Sequence, residues 1–151
     1  MPDLTVFEAL RDDHEIQRSL ADELVQTEGD SDSRAAVFDR LKTEMAAHAD
    51  AEERFFYIPL MEHDLTQDKA RHSVAEHHEL EELIEDLEEK DRSSAGWLTT
   101  AKDLRERLTH HLDEEEREVF QMAGKALTET AKADLAASYR GEMNRQRGEH
   151  A

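Results

Sequence analysis

The sequence predicts an all-α protein: an up-down-up-down antiparallel four-helix bundle with a short C-terminal fifth helix. Apolar residues recur with helical periodicity in four stretches of roughly 20–27 residues. Short Gly-, Asp- and Ser-rich segments separate these stretches, although the 151 residues include only five Gly and two Pro. Because short loops favour antiparallel neighbours, we expect the bundle to span residues 1–124 and a C-terminal helix and tail to span residues 125–151.

The first two predicted helices each place a histidine on their apolar face. The first is expected over residues 3–27, with Asp3 as its N-cap and His14 in the middle of its apolar stripe. The second is expected over residues 34–57, with His48 inside its stripe. Two of the four inward faces therefore carry a potential metal ligand.

Carboxylates accompany the histidine of the second helix. Glu52 follows His48 by four residues, and this spacing stacks the two side chains on one helix face. Glu44 lies one turn before His48 at the edge of the same face. Pro59 is expected to end this helix or to bend its last turn.

The third and fourth predicted helices repeat this pattern. The third is expected over about residues 66–90, and His77 lies toward its apolar side. The fourth is expected over about residues 97–123, where His111 and Glu115 again stand four residues apart on the buried face. All four helices of the bundle thus direct histidine inward.

The remaining C-terminal residues and histidines are expected at the periphery. A short fifth helix is predicted over residues 129–143, followed by a polar, frayed end over residues 145–151. Four histidines are predicted to face solvent: His63, His78, His110 and His150.

Composition excludes several classes of function. The chain has 19 basic and 38 acidic residues, a net charge of −19, so it should repel the phosphate backbone of nucleic acids. No apolar run is long enough for a transmembrane helix, and the acidic start does not resemble a signal peptide. The absence of cysteine excludes thiolate ligands and disulfides. We therefore expect a cytoplasmic protein, monomeric or weakly homo-oligomeric.

The polar residues on the apolar stripes predict a metal site. They are His14, His48, Glu52, His77, His111 and Glu115. Burying them without a cation would cost several kcal/mol per unpaired charge. Two carboxylates can bridge two ions, each ion then taking two histidines, and such nitrogen and oxygen ligands suit iron, with manganese second and zinc third. The Glu-x-x-His spacing of ferritin-type sites and the HExxH motif of zinc proteases are absent from this set.

These motifs resemble the hemerythrin-like (HHE cation-binding) family. The matching pieces are Asp13-His14, His48-Ala-Asp-Ala-Glu52, Glu76-His77 and His111-Leu-Asp-Glu-Glu115. The resemblance implies a four-helix bundle with a non-haem di-iron centre, usually oxo- or hydroxo-bridged. It also implies that Glu52 and Glu115 bridge the irons and that the four histidines are terminal ligands.

The chain departs from the oxygen-carrying members of that family. Those carriers have two histidines four apart on the third helix, whereas this sequence has Ser73 four residues before His77. The last carboxylate is Glu115, where carriers use a shorter Asp one residue later. One iron therefore has an open position or a substitute ligand. The candidate substitutes are Glu44, His72 and Tyr57. His72 would reach the site if the third helix starts late. Ideal helical geometry turns Tyr57 away from the site, unless the approach of Pro59 unwinds the helix.

The ligand count favours reaction chemistry over oxygen transport. Losing a histidine and gaining a carboxylate should favour ferric iron and expose a second labile position. We therefore expect chemistry with peroxide, O₂ or NO, with catalase-like peroxide removal as the leading hypothesis and oxidative stress as its setting. The alternatives are an O₂, NO or iron sensor or binding protein without turnover, and a metal-free structural bundle.

Overall fold

Helices account for most of residues 4–149, which are the residues described by the computed structural model. The helices are α1 (Val6–Leu24), α2 (Asp32–Glu52), α3 (Ile58–Met61), α4 (Gln67–Glu89), α5 (Ala95–Glu114), α6 (Phe120–Ala126) and α7 (Glu129–Glu149). Two π-helical segments, π1 (Glu53–Tyr57) and π2 (Glu115–Val119), join α2 to α3 and α5 to α6. No strand occurs within residues 4–149, so the predicted all-α class is confirmed.

Side-chain caps define where the long helices begin. The Thr5 hydroxyl accepts a hydrogen bond from the Glu8 N–H, and the Glu8 carboxylate accepts one from the Thr5 N–H, which forms a capping box for α1. At α2 and α5 the cap is a single hydrogen bond: the Ser31 side chain accepts from the Arg34 N–H, and the Ser94 side chain accepts from the Trp97 N–H. The predicted N-cap, Asp3, lies outside the described residues.

The main helices surround a shared interior. α1 packs against α2 and α5, while α4 packs against α5 and, less extensively, α2. The fifth long helix, α7, lies against α1 and α2. The looser contact between α2 and α4 leaves space on one side of the interior.

Apolar side chains form two separate clusters along the helices. The tyrosine cluster contains Val6, Leu10, Phe56, Tyr57, Val119, Phe120, Tyr139 and Met143 among its buried members. The tryptophan cluster contains Leu20, Leu24, Val37, Leu41, Leu80, Ile84, Trp97, Leu104 and Leu108 among its buried members. Each fully buried large side chain contributes about 1.5–3 kcal/mol. Residues between the two clusters are therefore held at fixed positions by packing on both sides.

The C-terminal helix is longer than predicted. Residues 129–143 were expected to form a short helix with a frayed end, but α7 continues to Glu149. The apolar pattern ends at Met143, and polar contacts hold the residues that follow it. Gln146 donates to Asp50, and Arg147 donates to buried Asp13. These partners are distant in sequence, so the helical period alone does not indicate them.

The surface is acidic and carries few large apolar side chains. The exposed ones are Ile16, Ile58 and Leu65, which lie on three different segments. Within residues 4–149, no helix combines the length and apolarity needed to cross a membrane.

Candidate metal centre

The six polar residues predicted from the apolar stripes lie together between the two apolar clusters. Each is buried, with an exposed fraction of at most 9%. Their ligand atoms form two groups, His14, His48, Glu52 and Glu115, and Glu52, His77, His111 and Glu115. Within each group the atoms lie within 4.8 Å of one another. Both glutamates belong to both groups.

Glu52 lies between two imidazoles from different helices. Its Oε1 is 3.4 Å from His48 Nε2 and 3.1 Å from His77 Nε2. On the other side, Glu115 Oε1 is 3.1 Å from His14 Nε2, and Glu115 Oε2 is 3.8 Å from His111 Nε2. The Nε2 atoms of all four histidines therefore face the two carboxylates.

Carboxylates outside the centre orient two of these histidines. His14 Nδ1 lies 2.7 Å from Glu116 Oε2, and His111 Nδ1 lies 2.9 Å from Glu76 Oε1. Because a carboxylate accepts hydrogen bonds, each Nδ1 carries the proton and donates it. The Nε2 lone pair then points inward, as a metal-ligating histidine requires.

A hydrogen-bond chain from α7 orients the third histidine. The Tyr139 hydroxyl donates to Asp13 Oδ2 at 2.6 Å, and His48 Nδ1 lies 2.6 Å from the same hydroxyl. Since the tyrosine proton is directed at Asp13, its oxygen accepts from His48 Nδ1–H. Arg147 donates to the other Asp13 oxygen at 2.7 Å and also to Glu44. The last turns of α7 thus fix the tautomer of His48.

The fourth histidine has a looser outer partner. His77 Nδ1 lies 3.6 Å from Glu53 Oε1, beyond hydrogen-bond distance. Burial lowers the pKa of His77, but the neighbouring Glu52 and Glu53 carboxylates outweigh burial and raise the pKa to about 9. Burial lowers the pKa of His111, although Glu76 opposes the shift.

The two central carboxylates ionise differently in the metal-free protein. Burial opposes ionisation of Glu52, yet His48 and His77 hold the pKa of Glu52 well below its ordinary value. Burial and the neighbouring Glu52 charge raise the pKa of Glu115 well above its ordinary value. Without a cation, the pair therefore takes its second negative charge much less readily than its first.

The buried polar atoms of this centre fit a bound cation. Among residues 4–149, the centre provides most of the buried side-chain nitrogen and oxygen atoms that have no hydrogen-bond partner. They are His14 Nε2, His48 Nε2, both Glu52 oxygens, His77 Nδ1, His111 Nε2 and Glu115 Oε1. An unsatisfied buried group costs about 1–3 kcal/mol, and more when it is charged. Imidazole and carboxylate donors together suit a transition-metal ion, which would satisfy most of these atoms at once.

Each central glutamate stands at a π-helical segment. π1 follows Glu52, and π2 begins at Glu115. In π1 the Ile58 N–H donates to the carbonyl of Glu53, five residues earlier. The wider turn carries Tyr57 inward, where it is fully buried and donates a hydrogen bond to Glu115. An uninterrupted α-helix would turn Tyr57 away, so the wider turn of π1, next to Pro59, is what brings this candidate ligand to Glu115.

The other two candidate ligands lie away from the centre. Glu44 is bound by Arg147 and belongs to neither group. The His72 side chain is 57% exposed and lies near Glu76 and Glu114 on the outer surface. Ser73 is buried, as predicted, with its side chain on the inner face of α4.

The solvent histidines follow the predicted pattern. His63, His78 and His110 are exposed, whereas His150 lies outside the described residues. The sequence interpretation did not assign roles to the outer partners Glu76, Glu116 and Tyr139. Glu76 and Glu116 each stand beside a residue of the centre, and that adjacency was the available signal.

Comparison with known proteins identifies the family. The family model described as the hemerythrin HHE cation-binding domain matches residues 5–123, most of the chain. The match ends just before the predicted boundary at residue 124 and so leaves out α7.

A crystal structure of a hemerythrin HHE cation-binding domain-containing protein from Mycobacterium kansasii is similar, with a TM-score of 0.87. The alignment covers 97% of this chain and 89% of that chain at 22% identity, which supports the shared fold. No curated protein matches the sequence. The extent of the family match shows that this chain belongs to the hemerythrin HHE cation-binding domain family.

Proposed function

We propose that α1, α2, α4 and α5 form an up-down-up-down bundle that would hold two iron ions, with Glu52 and Glu115 as the ligands available to both. His14 and His48 would bind one ion, and His77 and His111 the other. The supporting observation is that both glutamates belong to both groups of ligand atoms. Manganese and zinc suit the same donors less well than iron.

Tyr57 is the strongest candidate for an additional ligand. It reaches Glu115, and its ring lies 5.5 Å from that of His77, centroid to centroid. Ser73, at the position of the missing histidine, offers only a weak neutral donor. Tyr57 would therefore complete the coordination of the ion held by His77 and His111, or donate a hydrogen bond to Glu115 beside that ion.

The reaction that this centre supports best is removal of peroxide by disproportionation to water and O₂. Bound iron supplies Lewis acidity and reversible electron transfer. The Tyr57 hydroxyl holds a proton at Glu115, next to the ligand atoms of both groups. The Nδ1 contacts of His14, His48 and His111 fix the tautomers of three imidazoles, so these ligands need little reorganisation during turnover.

Oxygen evolution tests this proposal directly. Protein loaded with iron, with the metal content verified, should evolve O₂ continuously from hydrogen peroxide. The His110→Ala variant should behave identically, because His110 is exposed and outside both groups. If protein with a verified di-iron spectrum evolves no O₂, the peroxide proposal is wrong.

A second candidate function is the reversible binding of O₂, NO or iron without turnover. It is favoured by the link from His48 through Tyr139 to α7, because that helix could transmit a change at the centre. A spectral change on exposure to O₂ or NO that reverses on degassing would support this function. An irreversible change with product formation would argue for turnover instead.

The proposed additional ligand can be examined by spectroscopy. If Tyr57 binds iron as a phenolate, the diferric protein should show a visible tyrosinate-to-iron absorption band that Tyr57→Phe removes. If Tyr57 only donates a hydrogen bond, the band should be missing from both proteins. His110→Ala provides the control, since His110 is exposed and belongs to neither group of ligand atoms, so this variant should keep the band.

Loading the metal-free protein should release protons. His77 has a pKa raised to about 9 and so carries its extra proton near neutral pH, while the pKa of Glu115 is raised well above its ordinary value, so Glu115 loses its proton less readily than an ordinary carboxyl. Because a ligand binds metal in its deprotonated form, apparent affinity should fall as the pH falls, by about tenfold per pH unit for each proton released.

Calorimetry with Zn²⁺ as a redox-inert probe, in buffers of different ionisation enthalpy, measures the number of protons released. The His77→Ala variant should release about one proton fewer, whereas His110→Ala should match the unmodified protein. A proton release of zero would contradict this charge assignment.

A further inference from the structure

A cavity of about 410 Å³ reaches His48, His77 and His111 from one side. It lies where the contact between α2 and α4 is loose. Hydrogen peroxide, O₂ and NO are each about the size of one or two water molecules, and water occupies about 30 Å³ in the liquid. The cavity is therefore several times larger than these small molecules require.

The inner wall of the cavity is apolar. It is formed by Met45, Leu80, Ile84, Leu108 and Leu112, all from the tryptophan cluster. Burying a carbon group against such a wall is favourable in proportion to the apolar area removed from water. A substrate with an organic group would gain this contribution, whereas hydrogen peroxide would not.

One buried amide provides a polar anchor in the cavity. Gln17 lies one turn after His14 on α1, lines the cavity, and is 2% exposed. Its Nε2 has no hydrogen-bond partner. An oxygen atom of a ligand that accepts from this amide would satisfy the unpaired donor, which is costly to leave buried without a partner.

Charges at the rim select against anions. The acidic rim residues are Asp50, Glu53, Glu81, Glu85 and Glu88. Lys42 also lines the rim, but its ammonium is paired with Glu88 at 3.1 Å. An approaching carboxylate or other anion would therefore be repelled, and a neutral molecule would not.

We propose that this cavity binds a neutral organic hydroperoxide. Its organic group lies against Leu80 and Ile84, and its oxygen accepts a hydrogen bond from Gln17 beside the histidines. This inference rests on the proposed peroxide chemistry and extends its substrate class. In the balanced reaction, ROOH + H₂O₂ → ROH + H₂O + O₂, the O–O bond of the organic hydroperoxide breaks. Hydrogen peroxide supplies the two electrons and two protons as it is oxidised to O₂.

Binding of an unreactive product tests the cavity without turnover. Isothermal titration of the iron-loaded protein with 2-phenylpropan-2-ol, the alcohol formed from cumene hydroperoxide, should show saturable binding. Ala46→Trp, at an exposed rim position on α2, should weaken binding about tenfold or more. Ala36→Trp, exposed on the same helix outside the cavity, should leave it unchanged.

A charged probe tests the electrostatic argument. The anion 4-isopropylbenzoate, of similar size, should bind about tenfold more weakly than the alcohol or not at all. Equal binding of the two probes, or equal binding of the alcohol by the Ala46→Trp variant, would overturn the cavity assignment. So would the absence of saturable alcohol binding.

Turnover separates this inference from the function on which it rests. With hydrogen peroxide present, cumene hydroperoxide should yield 2-phenylpropan-2-ol, detected by liquid chromatography. The ratio of kcat/KM for cumene hydroperoxide to that for hydrogen peroxide should fall about tenfold in Ala46→Trp and stay constant in Ala36→Trp. Oxygen evolution from hydrogen peroxide alone, without alcohol binding or alcohol formation, would overturn the inference and leave the proposed function intact. Alcohol binding with no peroxide turnover would instead overturn the proposed function, and the substrate assignment with it.

Discussion

If the centre holds the two iron ions proposed above, replacing Glu52 with glutamine should reduce the iron content from two ions to less than one per chain. Glu52 is fully buried and belongs to both groups of ligand atoms, so its loss affects both ions. Glutamine keeps the size of the side chain but removes the negative charge, and its amide is a poor iron ligand. A bound metal stabilises by about 2.7 kcal/mol at 100 times its Kd, so the iron-loaded protein should lose about 5–10 °C in Tm.

The metal-free protein should respond in the same direction but less strongly. Ionised Glu52 is held by His48 and His77, which keep its pKa well below the ordinary value, and Glu52 in turn raises the pKa of His77. Removing the Glu52 charge removes this stabilisation, so Glu52→Gln should lower the Tm of metal-free protein by less than it lowers the Tm of iron-loaded protein. Metal analysis and thermal unfolding with and without iron measure the two effects separately. Glu52→Gln protein that retains full iron content would exclude a bridging role for Glu52.

Neighbouring histidines provide the matched comparison. His111→Ala should lose at least one ion, because His111 is buried with Nε2 facing Glu115. His110→Ala and His78→Ala should retain both ions, since these side chains are exposed. A protein in which His110→Ala loses iron as readily as His111→Ala would show that the faces of α5 are wrongly assigned.

The sequence was sufficient to predict the all-α class and the positions of the six central residues. Helical periodicity is a local property, so the apolar residues of each segment indicate its buried face without knowledge of the other segments. His14, His77 and His111 were recognised as polar exceptions on those faces. The structure places all of them between the two apolar clusters.

The sequence pattern did not predict features that depend on an interrupted helical period or on contacts between distant residues. A constant 100° rotation turns Tyr57 outward, and although Pro59 indicated a disturbed helix, the periodicity could not show that π1 carries Tyr57 inward. Arg147 was expected in a frayed tail, but it binds Asp13 and Glu44, more than 100 residues earlier. No local pattern links such residues, since their pairing depends on how α7 packs against α1 and α2.

Removing the Tyr139 hydroxyl should weaken metal binding although Tyr139 is not itself a candidate ligand. The hydroxyl accepts from His48 and donates to Asp13, which fixes the imidazole in its metal-binding tautomer. Loss of such an outer partner typically costs 10–100-fold in metal affinity. Tyr139→Phe should show a decrease in this range in a Zn²⁺ titration. Ser138→Ala, which removes an exposed hydroxyl from the preceding position of α7, should not.

A stepwise titration separates an effect on His48 from general loosening of the fold. Tyr139→Phe should lower the metal affinity only at the group that contains His14 and His48. Glu76→Gln, which replaces the carboxylate acceptor at His111 Nδ1, should lower the affinity only at the group that contains His77 and His111. If the two substitutions act on separate ions, their losses of binding free energy should add in the double variant. If Tyr139 instead acts by holding α7 in place, Tyr139→Phe should lower both affinities together, because α7 packs on α1 and α2 and those helices contribute ligands to both groups.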